Sequence, residues 1–143
     1  MIAAAVAKYL AAAGLVTFDE AGADCFLEDL PPVPVDALAV HTEVRAAGLD
    51  SWGMAGVQLI ARTDGTGGRA RSGYQQLMDA KDVLHGLRHT TLDPGGPDEV
   101  RVVLAVAQTE EPTDLGPDDN DRLRWSLGFD LTVLLDDGQR FAN

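Results

Sequence analysis

A glycine-rich run at residues 65–68 stands between a predicted strand and a predicted helix, where phosphate-binding loops occur. A P-loop needs a Lys-Ser/Thr pair after its last glycine, but Arg69 and Ala70 follow here. The dinucleotide spacing G-x-G-x-x-G is also missing, because Ala70 stands three residues after Gly67. The run therefore predicts a flexible turn, and no cofactor-binding residues are expected.

Two histidines, His85 and His89, are four residues apart near the end of the second predicted helix. They could share a helix face, but zinc requires further ligands, and neither Asp82 nor Asp93 completes a known zinc motif with them. Histidines near a helix C-terminus also interact favourably with the helix dipole. We favour that interpretation and predict no metal site.

Residues 110–121 hold six acidic residues and no basic residue. The run lacks the spaced ladder of acids and the late Glu of a calcium loop, so specific calcium binding is not expected. Like charges at this density usually mark a solvated loop. A twelve-residue connection between two strands is long, however, which keeps a flexible contact arm open as an alternative. The acids are Glu110, Glu111, Asp114, Asp118, Asp119 and Asp121.

Nucleophilic catalysis also finds no support in the sequence. Cys25 has no local signature of a catalytic cysteine. None of the serines lies in a G-x-S-x-G elbow. We therefore predict no catalytic residues and no enzymatic activity.

Composition narrows the class of protein further. The 143 residues carry 11 Lys and Arg against 23 Asp and Glu, a formal net charge of −12, and 45% of them are hydrophobic. This length predicts one domain over residues 1–143. No stretch approaches the roughly 18 apolar residues that span a bilayer, and the apolar start has no basic region ahead of it. An acidic chain is also a poor binder of DNA phosphates. These features predict a soluble, intracellular protein with no disulfide, since Cys25 is its only cysteine.

The first half of the chain predicts one helix and three strands. An apolar stripe from Ile2 to Ala13 predicts a helix that ends at Gly14. A short strand is expected at 25–30, and the prolines at 31–34 predict an exposed, semi-extended loop. Further strands are predicted at 37–43 and 57–62, with a loop at 45–53 between them. Trp52 in that loop is expected either at an interface or folded back on the core.

The second half predicts a helix and two strands. An apolar stripe from Tyr74 to Leu87 predicts the helix. A strand follows at 100–107, and strict alternation from Leu123 to Leu135 predicts a long, half-buried strand with a bulge or bend at Gly128. The fold class is α/β (α+β), in the order α-(β)-β-β-α-β-β. We expect a single antiparallel or mixed sheet of four to five strands with two helices packed on one face.

The order of these motifs resembles that of the tail terminator proteins of long-tailed phages, also called minor capsid or tail completion proteins. The pieces that carry the resemblance are the Leu-Pro-Pro-x-Pro break, the strand at 57–62, the helix end at 84–87 and the closing strand around 124–129. The resemblance implies a virion protein that forms a six-fold ring on the tail tube, ends its polymerisation and docks the head–tail connector. It implies a place at the head–tail junction of the virion, reached from the host cytoplasm during assembly. DNA would be a transient passenger in the lumen, and no membrane, cofactor or catalysis is implied.

Contact residues are chosen by position in predicted loops, because no family motif fixes them. A sheet leaves edges that need covering, and a ring of heterologous contacts would cover them. Because the predicted loops are long, a head-completion or neck protein stays open as an alternative within the same class of structural virion proteins. A small acidic module that docks a basic partner is the alternative from another class. The candidate contacts are Arg45, Trp52, Asp64, Arg69, Glu110, Glu111, Asp114, Asp118, Asp119 and Asp121.

Overall fold

The computed structural model describes residues 2–19, 21–32, 34–47, 52–64 and 72–134. These residues form two helices and seven strands, numbered in chain order. The helices are α1 (Ile2–Ala12) and α2 (Ser72–Leu84). The strands are β1 (Cys25–Leu27), β2 (Ala37–Ala47), β3 (Trp52–Thr63), β4 (Arg88–Leu92), β5 (Val100–Ala107), β6 (Thr113–Pro117) and β7 (Leu123–Leu134).

Helix α1 is buried on most of its circumference. Its small side chains let neighbouring backbones approach closely, and a helix that is apolar nearly all round belongs inside a core. The helix contacts β1, β2 and β4, although β1 and β4 lie at opposite ends of the strand order. The sheet therefore curls around α1. The buried residues of the helix are Ala3, Ala4, Ala5, Val6, Ala7 and Leu10.

One sheet contains all seven strands, in the order β1-β2-β3-β7-β5-β4, with β6 also paired to β7. The β1–β2 pair is parallel and the others are antiparallel. Strands β5 and β6 follow one another along the same side of β7, with Ala107 opposite Phe129 and Thr113 opposite Ser126. They form one broken line, interrupted by the segment at 108–112.

The alternation predicted for the last strand is confirmed in β7. Leu127, Phe129, Leu131 and Val133 are buried and join the core with residues of both helices. We call this helix-covered side the inner face of the sheet and the opposite side the outer face. At Gly73 the first turn of α2 lies so close to the sheet that an added Cβ would be 3.1 Å from Cδ1 of Trp125.

The number and order of strands differ from the prediction of four to five. Strand β4 (Arg88–Leu92) lies where we expected the end of a helix and a turn, since α2 ends at Leu84. Its polar sequence becomes a strand by pairing with β5. The bulge expected at Gly128 is also absent from the β3–β7 pairing, which runs through Gly128 without interruption. The irregularities lie on the other side of β7, as register shifts between Val102 and Leu104 in β5 and between Asp114 and Gly116 in β6.

Every described residue of the loop predicted at 45–53 lies in a strand. Strand β2 continues to Ala47 and β3 begins at Trp52, with Ala47 opposite Gly53 and a register shift between Val44 and Ala46. Strand β7 pairs with the first residues of β3, so the β2–β3 hairpin is supported to near its end. This pairing between distant parts of the chain overrides the glycine content that predicted a loop.

Candidate assembly surfaces

The predicted contact residues outside the acidic run lie in three different places. Arg45 is part of β2 and Trp52 is the first residue of β3, so neither lies in a loop. Asp64 follows β3 directly, and its backbone N–H donates to Oδ1 of Asp36 at 3.1 Å. Arg69 lies outside the described residues. Trp52 and Asp64 therefore lie at opposite ends of β3.

Part of the acidic run is a strand and not the loop that its charge density predicts, although most of its acids are exposed. Residues 113–117 form β6, which pairs with the first residues of β7. A register shift separates Asp114 from Gly116, which has a φ of 79° that favours glycine. Oδ1 of Asp114 accepts the Gly116 N–H at 2.7 Å. Pairing with a long, half-buried partner strand explains why this acidic segment is ordered.

Two side chains of α2 hold the segment between β5 and β6. Nζ of Lys81 donates to the backbone oxygen of Glu110 at 2.7 Å, and the Tyr74 hydroxyl donates to the Glu111 carboxylate. Tyr74 also packs edge-on against Trp125, with ring centroids 5.3 Å apart. The segment at 108–112 is thus bonded on the helix side of the sheet edge, while Glu110 and Glu111 are exposed.

Asp118 differs from its acidic neighbours because it builds the turn between β6 and β7. Its carboxylate accepts the N–H groups of Asn120 and Arg122 at 2.8 and 3.0 Å, and it pairs with Nε of Arg122 at 2.9 Å. Partial desolvation acts to raise the pKa of Asp118, but these hydrogen bonds and the Arg122 charge outweigh it and lower the pKa. Asp119 and Asp121 are exposed. Asp118 therefore has a structural role, and the exposed acids are the ones available to a partner.

The edge that β6 presents carries several features that block indiscriminate strand pairing. Among the described residues, β6 pairs with β7 on one side and has no strand on the other. It is short, contains a bulge, ends in Pro117 and bears Asp114, all devices that protect sheet edges. Leu115, at its centre, is 39% exposed. Contacts at this edge would therefore run through side chains.

An arginine group on the outer face, formed by Arg62 of β3 and Arg124 opposite it in β7, was not predicted from the sequence. Arg62 of β3 is only 4% exposed and donates to the backbone oxygens of Pro31, Pro34 and Val35 at 2.6–2.9 Å. Burial and the neighbouring Arg122 charge lower the pKa of Arg62. Its position on the polar side of an alternating strand was the available clue. The proline segment, predicted to be exposed, is thus tied to the sheet through its carbonyl groups.

A polar cleft of about 260 Å³ lies farther along β3 and β7, and Gly56 and Gly128 are among its lining residues. The Gln108 side chain occupies the space over Gly128, and its amide donates to Asp130 at 3.0 Å. The cleft offers amide and hydroxyl groups suited to hydrogen bonding. Its other lining residues include His41, Gln58, Thr109, Thr113 and Ser126.

Neither a metal-binding cluster nor a membrane-spanning helix occurs in the part of the chain that the structure describes. No group of three or more His, Cys, Asp or Glu side chains there could hold a metal ion. Neither described helix is long and apolar enough to cross a membrane. The single cysteine, Cys25, is buried, and burial together with the Asp24 charge raises its pKa to about 12.

Comparison with known proteins identifies the family. No curated protein matches the chain. A solved structure described as "Virion of native gene transfer agent (GTA) particle" contains a chain with the same fold, at a TM-score of 0.67 and 18% identity. The match covers 93% of this chain and 94% of that chain. The profile of the family described as "Bacteriophage tail terminator protein" matches residues 9–135. This chain, with its curled sheet around α1, belongs to the bacteriophage tail terminator family.

Proposed function

We propose that this protein forms a closed ring on the end of the phage tail tube, the simplest role that its family membership supports. The observation that carries the proposal is the family match over residues 9–135. The ring would stop addition of tube subunits and present a docking surface to the head–tail connector. Its location would be the head–tail junction of the virion.

Sheet geometry supports self-assembly. The outer face of the sheet carries the polar cleft and the arginine group, and the described helices pack on the other face. The outer face of the sheet and the acidic edge at β6 are therefore two different patches of the surface. Contacts between different patches are heterologous and close into rings when the rotation permits.

The acidic balance fits a ring through which DNA passes. A net charge of −12 per chain repels phosphates, so DNA would move through the lumen without binding to the wall. We include residues 1–143 in one domain, and we assign the protein no catalytic step. Its partners would be further copies of itself, the tail tube protein and the connector protein.

The exposed acids favour a second candidate, a module that docks a basic partner. Glu110, Glu111, Asp119 and Asp121 are exposed on or near one edge. Such a module would stay monomeric until its partner arrives, whereas a terminator would bind tail tubes. A head-completion or neck protein would bind the connector without blocking growth of the tube.

Light scattering over a concentration series, followed by negative-stain imaging, is the first test. We expect rings with a central hole, either alone or after tail tubes lacking this protein are added. The tubes should then stop elongating and carry one ring at one end. Tubes that elongate at an unchanged rate with saturating protein present would overturn the terminator role. Binding to connectors alone would instead favour the neck protein.

A further inference from the structure

The outer face of the sheet carries an apolar strip on the side opposite both helices. In the strand register Thr132 of β7 lies between Met54 of β3 and Leu104 of β5. Val106 and Leu134 follow two residues later in β5 and β7, and side chains two residues apart on a strand point to the same face. None of these four apolar residues belongs to the core cluster, and Val106 and Leu134 are 37% and 38% exposed. We call Met54, Leu104, Val106 and Leu134 the outer strip.

Positive charge borders the outer strip on its β4 side. Arg88 of β4 lies opposite Leu104, and Arg101 of β5 lies opposite Leu134. Both arginines are exposed. Asp130, nearer the middle of β7, accepts a hydrogen bond from a neighbouring amide. The outer strip is thus an apolar surface with a basic border in a chain of net charge −12, and it fits a partner whose apolar side chain is accompanied by acids.

The described part of the chain has four large apolar side chains that are more than a third exposed. Two of them belong to the outer strip. The third, Val35, lies beside Arg62, which donates to its backbone oxygen at 2.9 Å. The fourth, Leu115, is 39% exposed at the centre of β6, next to Asp114 and with no strand beyond it among the described residues. Leu115 is therefore the exposed apolar side chain that stands on a different patch in acidic surroundings.

Leu115 cannot reach the outer strip of its own copy. Its neighbour Asp114 pairs with Trp125, whereas the strip is centred on Thr132, farther along the same strand. The stretch of β7 from residue 125 to residue 132 spans roughly 24 Å at about 3.4 Å per residue. The two apolar surfaces can therefore meet only between copies.

We propose that the outer strip binds Leu115 and the β6 edge of a second copy of this chain. The inference rests on the proposed ring and names its contact. Leu115 would pack on the apolar side chains of the strip, and the acids of the 110–121 run would lie toward Arg88 and Arg101. The two surfaces complement each other in hydrophobicity and in charge, which favours a second copy as the partner. Because they are different patches, the contact is heterologous, as a ring requires.

Cysteine cross-linking of mixed variants tests this contact. Val106→Cys and Leu115→Cys are prepared as separate full-length chains, and the native Cys25 is buried. Oxidation of the mixture, both free and on tail tubes, should give a disulfide-linked dimer that neither variant gives alone. Asp82→Cys, at an exposed position on α2, is the matched control and should not cross-link with Leu115→Cys. A dimer formed as readily by Val106→Cys alone, or no dimer from the mixture in either sample, would overturn the inference.

Substitutions in and beside the outer strip measure the strength of the contact. Leu134→Thr should weaken self-association about 10-fold or more, as expected when an interfacial leucine loses its apolar burial. Arg88→Glu should weaken it less and should reduce its dependence on salt. Sedimentation velocity measures both effects, and ring occupancy on tubes replaces it where the free chain is monomeric.

Thermal unfolding of the monomer separates a contact between copies from one within the chain. Leu134→Thr should leave the melting temperature unaltered, because Leu134 lies outside the core cluster. A clear fall would show that residues of the same chain cover the strip, and it would overturn the inference. Tube elongation is measured on the same samples. Cross-linked copies that leave elongation unchanged would refute only the terminator role, whereas capping that persists with no cross-link and is insensitive to Leu134→Thr would refute only this contact.

Discussion

Helix α1 and the edge strand β6 differ in how far their side chains are buried. Helix α1 is enclosed by strands from both ends of the sheet, and Val6 and Leu10 have no exposed surface. The β6 edge keeps Asp114 and Leu115 exposed and is tied down by a few hydrogen bonds. Burial is therefore concentrated around the helix, whereas the edge leaves side chains exposed for contacts.

A matched pair of leucine truncations tests this contrast between core and edge with the largest expected effect. Leu10→Ala removes buried methyl groups and leaves a cavity, so the free energy of unfolding should fall by about 2–5 kcal/mol. Leu115→Ala, at a 39% exposed leucine, should change it by about 0.5 kcal/mol or less. Urea denaturation measures both values. Equal losses would show that the edge contributes as much to stability as the core.

Arg62 tests whether the proline segment belongs to the stable part of the molecule. Arg62→Met removes donors to three carbonyl groups, and the free energy of unfolding should fall by about 2 kcal/mol. Hydrogen exchange near residue 35 should accelerate at the same time, because the segment loses its attachment. Thr132→Val, on the same face, is a suitable control. An unchanged exchange rate would show that the segment is held by other contacts.

A smaller effect is expected at the ion pairs that connect α1 to the β4–β5 turn. Nζ of Lys8 pairs with Asp98 at 2.8 Å and with Asp93 at 3.1 Å. The hydrogen bond from Lys8 lowers the pKa of Asp98 below its ordinary value. The stabilisation is therefore complete above the pKa of an unfolded aspartate, about 3.9, and is lost as the pH falls through the lower folded value.

Asp98→Asn should consequently lower the melting temperature at neutral pH. The difference in melting temperature from the unaltered chain should shrink as the pH falls below the pKa of an aspartate in the unfolded chain. Thermal scans over an acid series measure this difference. A gap that persists at the lowest pH would point to a role of Asp98 other than its charge.

The smallest expected effect separates two neighbouring acids in the β6–β7 turn. Asp118→Asn weakens the pairing with Arg122 and should lower the melting temperature slightly. Asp119→Asn changes an exposed acid and should leave it unaltered. Differential scanning fluorimetry of the two variants side by side measures the contrast. If Asp119→Asn were the more harmful change, the assignment of structural and available acids would be reversed.

Periodicity by itself determined the elements whose side chains face one environment along their whole length. The alternation in β7 and the apolar stripe of α1 are local patterns, and both elements are where the sequence predicts them. The two-helix α+β class and the resemblance to tail terminators also followed from the order of such elements. The family match confirms the resemblance.

Other elements exist only because they pair with a partner far away in the chain, and local patterns did not predict them. Strands β4 and β6 are too polar to be recognised alone and are formed by pairing with β5 and β7. The opposition of Arg62 and Arg124 likewise depends on the register between β3 and β7. Local sequence encodes which way a side chain can face, but strand register between residues far apart in the chain sets what it meets.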